Sequence, residues 1–147
     1  MKTECQCKDC IECCKHIPGI PLPDEIINIA NYLKLSIKET LKRYFIRGYR
    51  EIDLYKKGEE IYIPIAYPAR KGFENKSEDF YYPLKNGECT FLKDNLCIIH
   101  KVKPFECKME FACKPSKPSS RQIALKEWDK ANKNGSIHKE IKKFLDI

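Results

Sequence analysis

The sequence predicts an α+β fold: a small single domain, mainly helical, with a short antiparallel β-sheet. Three observations predict it. Apolar residues recur at helical spacing in residues 25–46 and again in residues 121–145. Between these stretches Ile52, Leu54, Ile61, Ile63 and Ile65 alternate with other residues, as on half-buried strands. The length of 147 residues suits one domain, which would bury roughly 68–70% of its unfolded surface.

Each element follows from its own signals. Residues 5–14, CQCKDCIECC, hold five of the nine cysteines. If Cys7–Cys14 is helical, about 100° per residue places Cys7, Cys10 and Cys14 on one face, with Cys13 at its edge. A turn-rich loop would also let at least three sulfurs converge. The stretch from His16 to Pro23 contains three prolines and a glycine and cannot continue a helix. Asp24 is expected to cap a helix near residues 25–34, with Ile26, Ile27, Ala30 and Leu33 on its apolar side. Ser36 with Glu39 forms a capping-box pattern. It opens a second helix running to about Ile46, with Ile37, Leu41, Tyr44 and Phe45 inward. Gly48 stands where a stop is expected.

Lys57-Gly58-Glu59 offers a hairpin turn between the strands. Residues 68–79 read as a polar loop, and Phe80–Leu84 as an edge strand that tolerates Pro83. After residues 89–113, Lys114-Pro-Ser-Lys-Pro118 breaks the chain. Ser119 or Ser120 caps a helix near residues 121–132, with Ile123, Leu125 and Trp128 on its apolar side. Asn134-Gly135 marks a turn, and Ser136 caps a last helix to Leu145. Residues 1–147 thus read as one domain, with ligand segments at 5–14 and 89–113 and helices in 119–147.

The cysteines carry the chemistry. Cys7, Cys10, Cys13 and Cys14 form C-x2-C-x2-C-C, and Cys89, Cys97, Cys107 and Cys113 follow later. Packing does not require thiols this dense, whereas a metal centre does, because thiolates converge on it and two-residue spacers let neighbours reach it together. Disulfides fit poorly. Nine is odd, and the Cα atoms of adjacent Cys13 and Cys14 lie about 3.8 Å apart, below the usual span of roughly 4.4–6.8 Å. Eight thiols suffice for two four-thiolate centres, as 4Fe-4S clusters, zinc ions or one of each. C-x2-C-x2-C is the opening of the bacterial ferredoxin run, whereas a zinc ribbon would show two separated C-x2-C pairs. Iron–sulfur is therefore the leading expectation, with Zn2+ as the alternative. Lys93-Asp94-Asn95 is a turn signal that would fold Cys89 and Cys97 toward one another. Cys5 is a spare thiol on this reading. His16 reads as a residue that caps or hydrogen-bonds locally, His138 as solvated, and Tyr81, Tyr82 and Trp128 as core aromatics.

These motifs resemble the YkgJ-type CxxCxxCC cysteine-cluster family, described as a putative zinc- or iron-chelating domain. Its hallmark matches at Cys7, Cys10, Cys13 and Cys14. Its later pattern looks like C-x-F-L, then C-x-I-Y or C-x-I-H, then R-P-x-x-C-R. Here these are Cys89-Thr-Phe-Leu92, Cys97-Ile-Ile-His100 and Lys103-Pro-Phe-Glu-Cys107-Lys108. Both arginines are lysines in this chain, which removes a planar bidentate donor at each place. The resemblance implies metal chelation, and the aromatic of the family pattern at the His100 position implies packing or support of a ligand there, although His100 follows Cys97 at ligand spacing. Some proteins with this domain resemble flagellin lysine N-methylases, so a protein-lysine methyl-transfer component is one alternative.

Charge and composition bound the remaining classes. Lys and Arg total 28 against 21 acids, a formal +7, which eight ionised thiolates would offset before any metal is counted. The cations alternate with acids and form no basic stripe, so nucleic acid is not an expected partner. No apolar leader is visible and no stretch approaches the ~20 apolar residues of a membrane span. A cytoplasmic protein without a membrane role is expected. Three function classes compete: a redox or accessory metalloprotein working with a protein partner, a metal-dependent enzyme, and a zinc-binding structural protein or metal chaperone. No Gly-rich nucleotide loop or P-loop supports the enzyme.

Overall fold

The computed structural model describes residues 19–52, 61–78, 87–109 and 120–147. Segment 19–24 leads into α1, Glu25–Leu33. Ile26, Ile29 and Ala30 are buried at the i, i+3, i+4 spacing of one helical face, while Ile27 is half-buried. Asp24 precedes α1 with helical backbone angles and makes no side-chain cap bond. Lys34 closes α1 in the left-handed region at φ 58°, and its N–H donates to the carbonyls of Ala30 and Asn31. The capping box at α2, Ile37–Tyr44, has its first half: the Ser36 hydroxyl accepts the Glu39 N–H at 3.1 Å.

The second helix stops two residues before the predicted Ile46. Phe45 and Ile46 instead open β1, Phe45–Ile52, which pairs antiparallel with β2, Ile61–Pro68. The register runs from Phe45↔Pro68 to Ile52↔Ile61. Phe45 and Ile46 are both fully buried. Neighbouring side chains point to opposite faces of a strand, so this end of the sheet is covered on both sides.

Gly48 is consequently not a helix stop. It lies in mid-strand, where an added Cβ would sit 2.3 Å from Glu78 Oε2. The polar stretch after β2 does more than link elements. Arg47 donates its N–H to the Lys76 carbonyl, and Glu78 donates its N–H to the Arg47 carbonyl, making a short parallel bridge along β1. Side chains lock this edge. Arg50 donates to Glu78 Oε2 at 2.8 Å and to the Tyr67 hydroxyl at 2.9 Å, and that hydroxyl donates to Glu78 Oε1.

Two helices cover the sheet: α4, Ser120–Asn134, and α5, Lys139–Leu145; the short α3, Phe105–Met109, packs on α4. Ala124, Leu125 and Trp128 form the buried stripe of α4, whereas Ile123, predicted inward, is exposed. The α5 cap also differs from expectation. His138, not Ser136, accepts the Glu140 N–H, at 3.1 Å. Ser136 instead donates its N–H to Asn134 Oδ1 and the Ala131 carbonyl, inside the turn at Gly135. Arg47 ties α5 to β1, stacking on the Phe144 ring and donating to its carbonyl at 2.6 Å. One hydrophobic cluster joins α1, α2, both strands and the C-terminal helices. Among the described residues no helix is long and apolar enough to cross a membrane. The expectations at Leu54, the Lys57-Gly58-Glu59 turn, Phe80–Leu84, Tyr81 and Tyr82 lie outside the described residues.

Candidate metal centre

The late cysteine segment is held to the sheet by backbone bonds. Lys71 donates its N–H to the Glu88 carbonyl at 2.9 Å, and Thr90 donates its N–H to the Ala69 carbonyl at 2.8 Å. Arg70 and Cys89 thereby face each other in an antiparallel bridge, at the end where β2 runs out. A Lys71–Glu88 ion pair at 2.8 Å lies beside it. The Cys89 carbonyl then accepts the Leu92 N–H at 3.0 Å and turns the chain into a small hairpin.

That hairpin pairs β3, Leu92–Lys93, with β4, Leu96–Cys97. Asp94 and Asn95 connect them, both left-handed at φ 51° and 63°. A two-residue hairpin turn of this kind needs positive φ at both positions, and Asn and Asp tolerate it best after Gly. The turn returns Cys97 opposite Leu92, in the same small unit as Cys89. Both cysteines are half-buried and pack against the edge of the core. His100 opens a single 3-10 turn, His100–Val102, and is half-buried.

Lys103 is extended, as a residue before proline tends to be, and buried. Pro104 then leads into α3, Phe105–Met109, which carries Cys107. Segment 19–22 lies against this helix. Ile20 donates its N–H to Glu106 Oε1 at 3.0 Å, and Glu106 donates its N–H back to the Ile20 carbonyl at 3.1 Å. Glu25 Oε1 accepts the N–H groups of Leu22 at 2.7 Å and of Phe105 at 2.8 Å. The backbone of Gly19 is pressed on the Cys107 thiol: a Cβ there would stand 2.2 Å from Sγ and 3.1 Å from the Cys107 nitrogen.

Cations match the two carboxylates. Lys108 Nζ lies 2.7 Å from Glu25 Oε2, and Arg121 Nε lies 2.8 Å from Glu106 Oε2. Lys108 occupies one arginine place of the family pattern and works as a point charge on one oxygen. The carboxylates are mostly buried, at 11% side-chain exposure each, so pairing offsets a real desolvation cost.

Of the eight expected ligands, Cys89, Cys97 and Cys107 are described. Cys7, Cys10, Cys13, Cys14 and Cys113 lie outside the described residues, as do Cys5 and His16. Among the described residues no three His, Cys, Asp or Glu side chains are grouped to hold a metal. Gly19, Glu25 and Glu106 shape the site, yet nothing about their types or spacing singled them out.

A family model described as "CxxCxxCC: Putative zinc- or iron-chelating domain" matches residues 6–136. The chain belongs to the CxxCxxCC family. No curated protein and no solved structure gives a significant match. The CxxCxxCC match takes in all eight motif cysteines and begins just after Cys5. Membership supports metal binding by this chain. The donors of the CxxCxxCC domain also fit a soft metal: the described cysteines are half-buried, and Cys107 sits in a cradle that a side chain at position 19 would fill.

Proposed function

We propose that this CxxCxxCC domain holds one or two iron–sulfur clusters of 4Fe-4S type between its N-terminal motif and its late cysteines. Its role is then redox or accessory, in the cytoplasm, with a protein partner. The supporting observation is the seat of Gly19 on Cys107. Cys14 precedes Gly19 by five residues, a reach of at most roughly 16–18 Å of chain. Motif thiols and Cys107 are therefore within one another's reach, and a cluster that takes four thiolates can draw on both segments. When bound, such a cluster supplies one-electron chemistry at a potential set by its surroundings. The protein's contribution is to gather thiolates from both segments and to shield them on the core side with segment 19–22 and α3.

Iron, zinc and acid-labile sulfide per chain, measured on protein purified without oxygen, test this. Matching iron and sulfide at about four or about eight per chain is the expected result. Zinc without sulfide would overturn the cluster and leave a structural or chaperone site. Cys10→Ser should lose a centre, while Cys5→Ser should keep full metal content.

A further inference from the structure

We propose that Glu25 and Glu106 are positioning residues that preset Cys107 for its metal, a role that rests on the ligand reading above. They form a reciprocal clamp. Glu25 of α1 reaches across to the Phe105 N–H at the start of α3, and Glu106 of α3 reaches back to the Ile20 N–H. Each carboxylate thus holds the other's segment, and Gly19 and Cys107, which touch each other, are the chain neighbours of the held Ile20 and of Glu106. Fixing two short segments this way leaves the thiol little freedom relative to the exit of the N-terminal motif.

The clamp combines geometry with charge. Its carboxylates accept the backbone N–H groups of Ile20, Leu22 and Phe105, and they accept as many bonds again from the cationic side chains of Lys108 and Arg121. Lys108 and Arg121 balance the two negative charges at 2.7 Å and 2.8 Å, so the carboxylates do not impose net repulsion on a nearby thiolate. Arg121 also ties the clamp to α4, which is anchored by Trp128 donating to the Pro21 carbonyl at 2.7 Å. Groups that orient a metal ligand in this manner are typically worth about 10–100-fold in metal affinity.

The test follows metal release to excess chelator from protein purified without oxygen, in wild type and in Glu25→Ala, Glu25→Gln, Glu106→Ala, Glu106→Gln and Cys107→Ser. Both alanine variants should release metal at least about tenfold faster. Both glutamine variants, whose amide oxygen still accepts the backbone N–H groups, should stay within a few-fold of wild type. Wild-type release from the alanine variants, whatever their melting temperature, would overturn the clamp and leave the ligand reading standing. Full metal content and wild-type release in Cys107→Ser would overturn both. Should the alanine variants fail to fold, amide hydrogen exchange on metal-free wild type decides. Slow exchange at Ile20, Leu22 and Phe105 supports a preset site, and unprotected exchange there would make the clamp a consequence of the metal and sink it.

Discussion

At Gly48 the side chain is a hydrogen atom, and Glu78 uses the space. Its backbone is that of an ordinary strand residue, without positive φ, so glycine serves here for room and not for backbone freedom. Gly48→Ala should push the Glu78 carboxylate off Arg50 and Tyr67 and cost about 1–3 kcal/mol. Urea denaturation measures it; an unchanged midpoint would show that the Glu78 side chain moves aside freely. Trp128 makes a second residue-scale case. Its fully buried indole donates to the Pro21 carbonyl. Trp128→Phe should cost about 1–3 kcal/mol for the buried carbonyl left without that donor, beyond any packing loss. A melt within error of wild type would contradict that. The sequence shows a glycine at 48 but not which neighbour needs the space, because Glu78 arrives from another segment.

Among elements, the joint between α1 and α2 carries opposite expectations at two residues. Ser36→Ala removes a working N-cap and should destabilise by about 1 kcal/mol. Lys34→Gly relieves a left-handed residue and should stabilise by about 1 kcal/mol. Thermal melts of both variants check the signs together. Helix starts were legible where a side chain makes the cap, as at Ser36. The end of α2 was not, because Phe45 and Ile46 satisfy a helical stripe as well as a doubly covered strand. Ser136 misled for a related reason: Ile137 is buried at the entry to α5, which leaves the cap to His138. The Asp94-Asn95 turn was readable, since few residue types accept positive φ.

For the whole molecule, the hydrophobic cluster runs through α1, α2, the sheet and the C-terminal helices, with Cys89 and Cys97 packed at its margin. Chelation in reducing buffer should therefore lower the melting temperature while leaving most helical circular dichroism in place. Collapse of the helical signal would show instead that the core depends on the metal. The cysteine motifs were legible because thiols at two-residue spacing have few other uses. The clamp was not, because Glu25 and Glu106 look like ordinary acids opening two helices, and only the fold brings their segments together. That separation has a temporal side. Glu106 follows Ile20 by 86 residues. At roughly 5–20 residues per second, the ribosome needs about 4–17 s to add them. Throughout that interval the thiols of residues 5–14 exist as nascent chain before α3 has been made. A metal for the proposed centre, shared between that motif and Cys107, would therefore be delivered only after residue 107 has been made.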